Sequence, residues 1–423
     1  MPQPLINISR KQAYIFAAFL VLYEFLTYVA NDMIMPGMID VVKTFNGSED
    51  AVASSLTAYI LGGASLQLIL GPLSDRYGRR PIMIFGAAFF LITTLVIAAS
   101  NSMEQFLVAR FFQGMGLCFT GVIGYAVIQE IFAEMDAIRL IALMANVSIL
   151  APLIGPLLGA LFIHYYSWRW IFIIIAVFSF LALYGICRYM PEPVGQTKTD
   201  GDVIPIVPLS FGTIFTNYKN LVLNRTFLLG SIAFGVVIVP CIAWIALSPL
   251  ILIASAKLSV IEYAVWQIPI FGAAIAGNLF LQGITRHFTS SQVLKIGSAI
   301  CCISLLIVVT LPLMFGNHFL WLMPGLIIYF FGLGVTGGPL NRIVLFSTSV
   351  SKGTASALLA LITACIEAGG VELANLLYDA TYNNRVFAVY CATTGVLYIF
   401  ILIAAFYKAN GQTNYKAKPE PHQ

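Results

Sequence analysis

The sequence predicts an all-α polytopic membrane protein whose twelve transmembrane helices form two pseudo-symmetric six-helix bundles. Three observations support this prediction. Hydrophobic residues make up 60% of the 423 residues and charged residues only 9%, whereas soluble proteins carry about 25% charged residues. The mean hydropathy is +0.91, and the apolar runs reach the roughly 20 residues that a helix needs to cross a hydrocarbon core. One long polar break divides these runs into two sets.

The apolar runs and the polar breaks between them define the twelve spans in order. Six lie in the first half, at 12–41, 51–73, 81–99, 104–130, 137–163 and 167–189, and six in the second, at 223–253, 259–286, 293–314, 318–345, 351–377 and 384–408. The long break contains Pro191, Pro193, Gly195 and Gly201, which are typical of loops. We therefore expect an N-terminal bundle over 1–189, a linker over 190–222, a C-terminal bundle over 223–410 and a tail over 411–423.

The distribution of basic residues predicts the orientation. Most short-loop Lys and Arg residues fall on one side, including Arg76, Arg79 and Arg80, and such residues resist translocation. Both termini are therefore predicted to be cytoplasmic. The apolar run after Lys11 lacks a small-residue cleavage site, so we expect a retained first helix rather than a signal peptide.

Charge, cysteine usage and histidine placement argue against a nucleic-acid-binding protein, a metalloprotein and an enzyme. The net charge is only +4 and the basic residues form no block, so we expect no nucleic-acid partner. The 7 cysteines show neither a C-x-x-C pair nor zinc spacing, so we expect no metal site. The four histidines are scattered, and no convergent nucleophile, base or ligand set indicates an enzyme.

Few charged side chains lie inside the spans, where each costs about 2.5–3.5 kcal/mol at the membrane centre. Glu24 and Asp32, both in the first span, are eight residues apart, or about 12 Å along a helix and 80° around it, so both can line one cavity. Because desolvation disfavours an ionised carboxyl, either acid suits proton exchange. Alternatively, Glu24 serves only to hydrogen-bond a neighbouring helix, and Asp32 is only a residue at the outer end of its own helix.

Arg110 in the fourth span needs a partner because arginine does not lose its proton. A carboxylate of the first span is one candidate, and backbone carbonyls or Gln113 are the alternative. Glu367 and Glu372 lie five residues apart in the eleventh span, about 140° around a helix, so they cannot both face one narrow path. Arg342, near the end of the tenth span, can extend its side chain to water.

The most specific motif is Gly71-Pro72-Leu73-Ser74-Asp75-Arg76-Tyr77-Gly78-Arg79-Arg80-Pro81, in the short loop after the second span. It resembles the G-x-L-[SA]-D-R-x-G-R-[RK] signature of the major facilitator superfamily. The resemblance implies a cytoplasmic gate at Gly71, Asp75, Arg76, Gly78 and Arg79, with Asp75 accepting from the start of the eleventh span, where Ser349 or Ser351 is the candidate N-cap.

Two further stretches resemble signatures of the same family. Leu107 to Gly116 is similar to L-x-x-R-x-x-Q-G-x-G, which links Arg110 to proton transfer. Ala151 to Ala160 is similar to the antiporter signature G-P-x-x-G-G, with Pro152, Gly155, Pro156 and Gly159 in place but Ala160 at the last glycine. Proline and glycine favour a kinked, closely packed seam, which we expect between the two halves.

The resemblance narrows to MdfA-type multidrug/proton antiporters at Leu22 to Ile34 and along nearly all of the chain outside the linker and the tails. It implies that Glu24 and Asp32 exchange protons, with Arg110 as their partner. It also implies a drug cavity, with no cofactor and no catalytic residue, lined by Tyr28, Asn31, Asp32, Met144, Asn146, Ser148, Ile242, Ile245 and Phe271.

The resulting interpretation is a monomeric exporter in the lipid of a bacterial inner membrane. It would move lipophilic cationic and neutral drugs outward against protons, by alternating access and driven by the proton gradient. The alternative is a dedicated proton-coupled exporter of one endogenous metabolite, such as a metal chelator. An importing proton symporter is disfavoured by the antiporter motif.

Overall fold

The computed structural model describes residues 4–132, 134–199, 201, 203–204, 206, 211–284, 287–348, 350 and 352–406. Within these residues the chain is almost entirely helical and contains no strand longer than an isolated bridge. Eleven helical segments are long and apolar enough to cross a membrane, and Leu150–Tyr165 is a shorter apolar stretch of a twelfth long helix. The predicted all-α, twelve-span fold is confirmed.

The helices of the first half follow the six predicted spans closely. They are α1 Arg10–Asp32, α2 Met38–Thr44, α3 Ala51–Ser65, α4 Gln67–Tyr77, α5 Arg79–Ala98, α6 Met103–Gly114, α7 Gly116–Cys118, α8 Tyr125–Ile131, α9 Glu134–Tyr165 and α10 Arg169–Tyr189. Thus α1 and α2 share the first span, α3 and α4 the second, and α6 to α8 the fourth.

The second half begins with a short helix from the linker, followed by six long ones. They are α11 Phe211–Leu223, α12 Arg225–Ser248, α13 Val260–Ile284, α14 Ser290–Phe315, α15 Met323–Phe346, α16 Lys352–Asp379 and α17 Asn384–Phe406. We call the end of the bundle where α1 begins and α17 ends the inner end, and the opposite end the outer end.

Several spans change helix type along their length. A 3-10 turn at Met35–Gly37 joins α1 to α2, and π-helical segments occupy Phe119–Gly124 and Pro249–Ser255. Pro36 and Pro249 lie in or at the start of these segments, where proline cannot donate a helical hydrogen bond. Such breaks let one span bend around its neighbours, and π-helical turns often occur at functional sites.

The exposed apolar side chains show which helices face lipid. Large exposed hydrophobic residues are numerous on α5, α10, α14 and α17, and none occurs on α1 or α12, all of whose residues are described. An exposed apolar surface of this extent requires a hydrocarbon environment. The four outer helices therefore face lipid, and α1 and α12 are the innermost helices of the two halves.

The two halves meet along two pairs of helices. α3 and α4 of the first half pack against α16, and α9 packs against α13. Within the first half, α1 packs against α9 and α10. The innermost helix α1 is therefore held on one side by its own bundle and faces the other half on the opposite side.

Candidate functional site

The half-buried side chains of α1 and α12 indicate a central path between the two helices. Phe25, Tyr28 and Asn31 are half-buried on α1, and Ile238 and Ile242 are half-buried on α12. Their spacing places each set on one helical face. Because neither helix exposes a large hydrophobic side chain, we infer that these partly accessible side chains border an internal space. The predicted cavity residues Tyr28, Asn31, Ile242 and Ile245 all lie on these two faces.

Four other predicted cavity residues do not lie on these two faces among the described side chains. Met144 is buried in α9, and Phe271 is buried in α13, where its ring meets the Phe330 ring edge to face at 5.4 Å. Both therefore lie behind the surface of the path. The side chains of Asn146 and Ser148 lie outside the described part of the structure.

Glu24 lies on the same face of α1 as Tyr28, and only 2% of it is exposed. The Tyr125 hydroxyl donates to its Oε1 at 2.8 Å. Its Oε2 is buried and has no hydrogen-bond partner among the described residues. One oxygen thus matches the structural alternative, a bond to a neighbouring helix, and the other is left unsatisfied beside the path. A buried carboxyl with a free oxygen is costly as an anion and suits a group that gains and loses a proton.

Arg110 is fully buried and is held by neutral groups. Its guanidinium donates to the Asn31 Oδ1 at 2.7 Å, to the Gln113 Oε1 at 2.8 Å and to the Ala30 carbonyl oxygen at 3.1 Å. It also lies 4.4 Å from the centre of the Tyr59 ring, a cation–π distance. Of the two alternatives for Arg110, the structure therefore contains the carbonyl and Gln113, and no described carboxylate pairs directly with it.

Asn31 links Arg110 to Asp32. The Asn31 side-chain amide donates to the Asp32 Oδ1 at 3.2 Å while its oxygen accepts from Arg110. Asp32 is only 5% exposed. The arginine therefore reaches the carboxylate only through one intervening amide and forms no direct ion pair with it. Sequence reasoning placed Asn31 in the cavity and did not identify this bridging position.

The antiporter motif packs against the same point of α1. A side chain at Gly155 would begin 2.7 Å from the Asp32 Cβ, and one at Gly159 would overlap the Met33 carbonyl oxygen. Pro152 and Pro156 lie inside α9 between and beside these glycines. The sequence predicted that this close seam lies between the two halves. In the structure, Gly155 and Gly159 instead face α1 within the first half. α9 packs against both α1 and α13.

The motif loop at the inner end contains the two ion pairs found among the described residues. Arg79 pairs with Asp75 at 2.5 Å and with Glu130 at 2.8 Å. Gly78 adopts a φ of 101°, a conformation that favours glycine. The predicted contact of Asp75 with Ser349 or Ser351 involves positions outside the described residues. Two other motif residues lie in looser surroundings: Arg76 is exposed, and a side chain placed at Gly71 would meet only the Val122 side chain, at 3.9 Å.

Glu192 was missed by the sequence analysis. Its two carboxylate oxygens accept from the backbone N–H groups of Arg79 and Arg80, each at 3.0 Å. These N–H groups begin α5, where the helix dipole favours a negative charge. The only sequence signal was a carboxylate between two prolines at the start of the linker. It anchors the linker to the gate loop.

At the outer end, α16 contacts the first half. The Asn375 side-chain amide donates to the Asp50 carbonyl oxygen at 3.2 Å. In the loop after α16, the Tyr382 hydroxyl donates to Asp379 at 3.0 Å, and this bond raises the pKa of Tyr382 to about 12. The bond from Asn375 connects the two halves at the outer end.

Within the described part of the chain, the remaining charged groups form neither a metal site nor an ion pair. No three described His, Cys, Asp or Glu side chains come together as metal ligands. Arg342 is exposed near the inner end of α15, with its guanidinium 5.0 Å from the Phe346 ring. Glu367 and Glu372 are both half-buried on α16.

Comparison with known proteins agrees with this architecture. Residues 20–371 match the family model of the Major Facilitator Superfamily. Multidrug transporter MdfA of Yersinia pestis (strain D106004) is 43% identical over 393 residues, which cover 93% of this chain and 94% of the relative. Multidrug transporter MdfA of Escherichia coli O157:H7 is 40% identical over the same length and shares.

Solved structures show the same fold at low identity. The xylose transporter XylE of E. coli, in a partially occluded inward-open conformation, has a TM-score of 0.68 at 16% identity, covering 96% of this chain and 99% of that one. A bacterial homologue of the human lysosomal transporter Spinster, inward-facing and occupied, has a TM-score of 0.70 at 16% identity, covering 98% and 100%. The chain therefore belongs to the Major Facilitator Superfamily and, within it, to the group of the MdfA proteins.

Proposed function

We propose that the protein exports structurally diverse lipophilic drugs, cationic and neutral, across the bacterial inner membrane in exchange for protons. The observation that carries this proposal is the pair of buried carboxyls, Glu24 and Asp32, on the face of α1 that borders the central path. Neither has a direct ion-pair partner among the described residues. The multidrug transporters at 40–43% identity support the choice of substrate class.

Exchange follows from competition for one site of low dielectric. A proton on Glu24 or Asp32 removes the negative charge, and a cationic drug favours the ionised form, so each ligand displaces the other. Arg110, acting through Asn31, favours the ionised Asp32 and so assists proton release. A neutral drug would displace the proton by occupying the space around the two carboxyls and around the hydrogen-bond donors that contact them.

The apolar walls suit many ligand shapes. Tyr28, Asn31, Ile242 and Ile245 would contact the drug directly, and Met144 and Phe271 would support them from behind. We include Asn146 and Ser148 in this cavity from the family resemblance alone. Aromatic, branched and methionine side chains adapt to different ligands by repacking. Broad specificity is the expected consequence.

Alternating access would come from rocking one half against the other. The moving bodies are the N-terminal bundle, 1–189, and the C-terminal bundle, 223–410, joined by the linker 190–222 and followed by the tail 411–423. The gate residues Gly71, Asp75, Arg76, Gly78 and Arg79 would hold the inner end closed when the outer end opens. Pro152, Gly155, Pro156 and Gly159 would keep α9 tight against α1 and limit proton leak.

The inner end is assigned to the cytoplasm, with both termini there. The basic residues of the inner loops support this orientation. The protein would act as a monomer surrounded by lipid, with small lipophilic molecules and protons as its partners, without nucleic acid and without a cofactor. The proton gradient supplies the driving force.

Transport in inverted membrane vesicles tests the proposal. Wild type should take up several unrelated compounds, among them a lipophilic cation and a neutral drug, only while a proton gradient is present. Asp32→Asn and Glu24→Gln should each lower or narrow this uptake. A gradient-driven exporter that accepts a single host metabolite and none of the drugs would instead establish the dedicated-exporter alternative.

A further inference from the structure

Glu367 is a membrane-embedded carboxyl that the proposed exchange does not use. It lies on α16, whose lipid-facing stripe is marked by exposed Cys365, Gly369, Leu373 and Leu376. At 100° per residue, Glu367 points about 165° away from the centre of that stripe. Its side chain is therefore directed into the protein, although it is only half-buried. A partly accessible group facing inward borders internal space.

The Glu367 carboxyl has no hydrogen-bond or ion-pair partner among the described residues. Its neighbours on the same helix face, Val371, Ala374 and Tyr378, are at most 2% exposed. Carboxylates at membrane depth are rare and are normally paired or functional. Glu367 is thus exposed to the extent expected of a residue that lines the path. It lacks the hydrogen-bond and ion-pair partners expected of a carboxyl with a purely structural role.

The packing of α16 on α12 locates Glu367 relative to the path. A Cβ placed on Gly235 of α12 would meet the side chain of Ile366, the residue before Glu367, at 3.0 Å. Gly235 adjoins the half-buried face of α12 that includes Ile238 and Cys241. Asp32 from the first half and Glu367 from the second therefore both border the central path. In the same path, the Glu24 Oε2 is buried without a partner.

We propose that Glu367 is a second cation-binding carboxylate, which lets the path accept substrates carrying two separated cationic groups, one at Asp32 and the other at Glu367. This inference rests on the proposed export of cationic drugs. In a low dielectric, one carboxylate compensates one positive charge, and a second charge without a partner is strongly disfavoured. Carboxyls on opposite halves remove that penalty for a dication.

The wall between the two acids indicates the shape of such a substrate. Ile238 and Ile242 line the α12 face near Cys241. An apolar wall favours a flexible hydrocarbon chain between the cationic ends. The chemical class is therefore a linear bis-quaternary amine. A compact dication, whose charges lie side by side, would leave one charge away from either acid.

Paired transport measurements test the inference. The full-length protein in proteoliposomes is assayed with decamethonium, a linear dication, and with tetraphenylphosphonium, a monocation. For Glu367→Gln we expect the ratio of decamethonium to tetraphenylphosphonium transport to fall about tenfold or more below the wild-type ratio. Glu367→Asp keeps a carboxylate and should restore most of that ratio.

Glu372→Gln is the matched control because Glu372 lies on the same helix, about 140° around from Glu367. It should leave the transport ratio at the wild-type value. The ratio also separates selective loss from misfolding, since a misfolded variant loses both activities together. If Glu367→Gln misfolds, the comparison of Glu367→Asp with wild type still decides, because a retained carboxylate must retain decamethonium transport.

Three results would overturn the inference. They are an unchanged ratio in Glu367→Gln, an equal fall in Glu372→Gln, and a wild type that transports tetraphenylphosphonium but not decamethonium. The third would leave the proposed function intact. A wild type that transports neither cation, nor any other drug, under a proton gradient would contradict the proposed function itself.

Discussion

At the residue scale, Arg110 is a permanent charge held only by neutral groups. Its donors reach Asn31, Gln113 and a backbone carbonyl, and the Tyr59 ring lies beside it. A direct ion pair with Asp32 would fix that acid in its ionised form. In the proposed exchange, the intervening amide of Asn31 would leave Asp32 free to accept a proton or a drug cation.

Replacing Arg110 by lysine should therefore impair transport even though the charge is kept. Lysine has no planar fork and cannot satisfy these acceptors at the same positions. We expect drug transport by Arg110→Lys to fall about tenfold or more, together with a lower unfolding temperature. Vesicle uptake and thermal unfolding in detergent measure the two effects.

Arg188→Lys is the control, because Arg188 is exposed at the end of α10. It should match wild type in both assays. Full transport by Arg110→Lys would show that the charge alone matters and that the observed set of acceptors does not.

At the scale of secondary-structure elements, the packing of α9 on α1 brings Gly155 and Gly159 against Asp32 and Met33. Gly155 and Gly159 allow the α9 backbone to touch α1 at Asp32 and Met33. Small residues permit such approach between membrane helices. The motif thus fixes the position of the Asp32 backbone and, through it, the distance from the acid to Asn31 and Arg110.

A methyl group at Gly159 should disturb this contact. Its Cβ would overlap the Met33 carbonyl oxygen, so α1 and α9 must move apart. Overpacking of this kind costs roughly 1–3 kcal/mol. We expect Gly159→Ala to lower the apparent unfolding temperature and to reduce drug transport.

Gly272→Ala on α13 provides the comparison, because nothing lies within 4 Å of a methyl group placed there. It should keep both the unfolding temperature and the transport of wild type. Equal behaviour of the two variants would mean that the close contact at Gly159 is unimportant.

For the molecule as a whole, contacts between the halves are present at both ends of the path. At the inner end α4 packs against α16, and at the outer end the Asn375 amide bonds to the Asp50 carbonyl oxygen. Alternating access requires that each set of contacts breaks in turn. The single described hydrogen bond from Asn375 across the outer end is thus a candidate determinant of the closed state.

Asn375→Ala should shift the population toward the outward-open state. Losing one hydrogen bond of about 1 kcal/mol changes a two-state ratio by roughly fivefold. Distances between spin labels on the two halves at the outer end would report a larger fraction of long separations. The control is Asn384→Ala, since Asn384 is a buried outer-end residue bonded to Asn317 within the second half. An unchanged distance distribution in Asn375→Ala would exclude this bond as a latch.

The sequence predicts the fold better than the site, for a physical reason. A span is a local property of length and hydropathy, so the predicted limit 384 and the observed start of α17 at Asn384 agree. The partners of Arg110 lie up to 80 residues away in the chain, and Glu192 reaches the gate loop from 113 residues away. Local patterns do not specify such contacts. Burial of Glu24 and Asp32 was predictable because the lipid core leaves a charged residue few alternatives.

The central claim is that drug and proton compete at Glu24 and Asp32, and proton release from purified protein tests it most directly. In weakly buffered detergent solution, tetraphenylphosphonium should release protons from wild type, and a neutral drug should do so as well. The Glu24→Gln/Asp32→Asn double variant should release none. Undiminished release from the double variant, or drug binding to wild type without any release, would contradict the account.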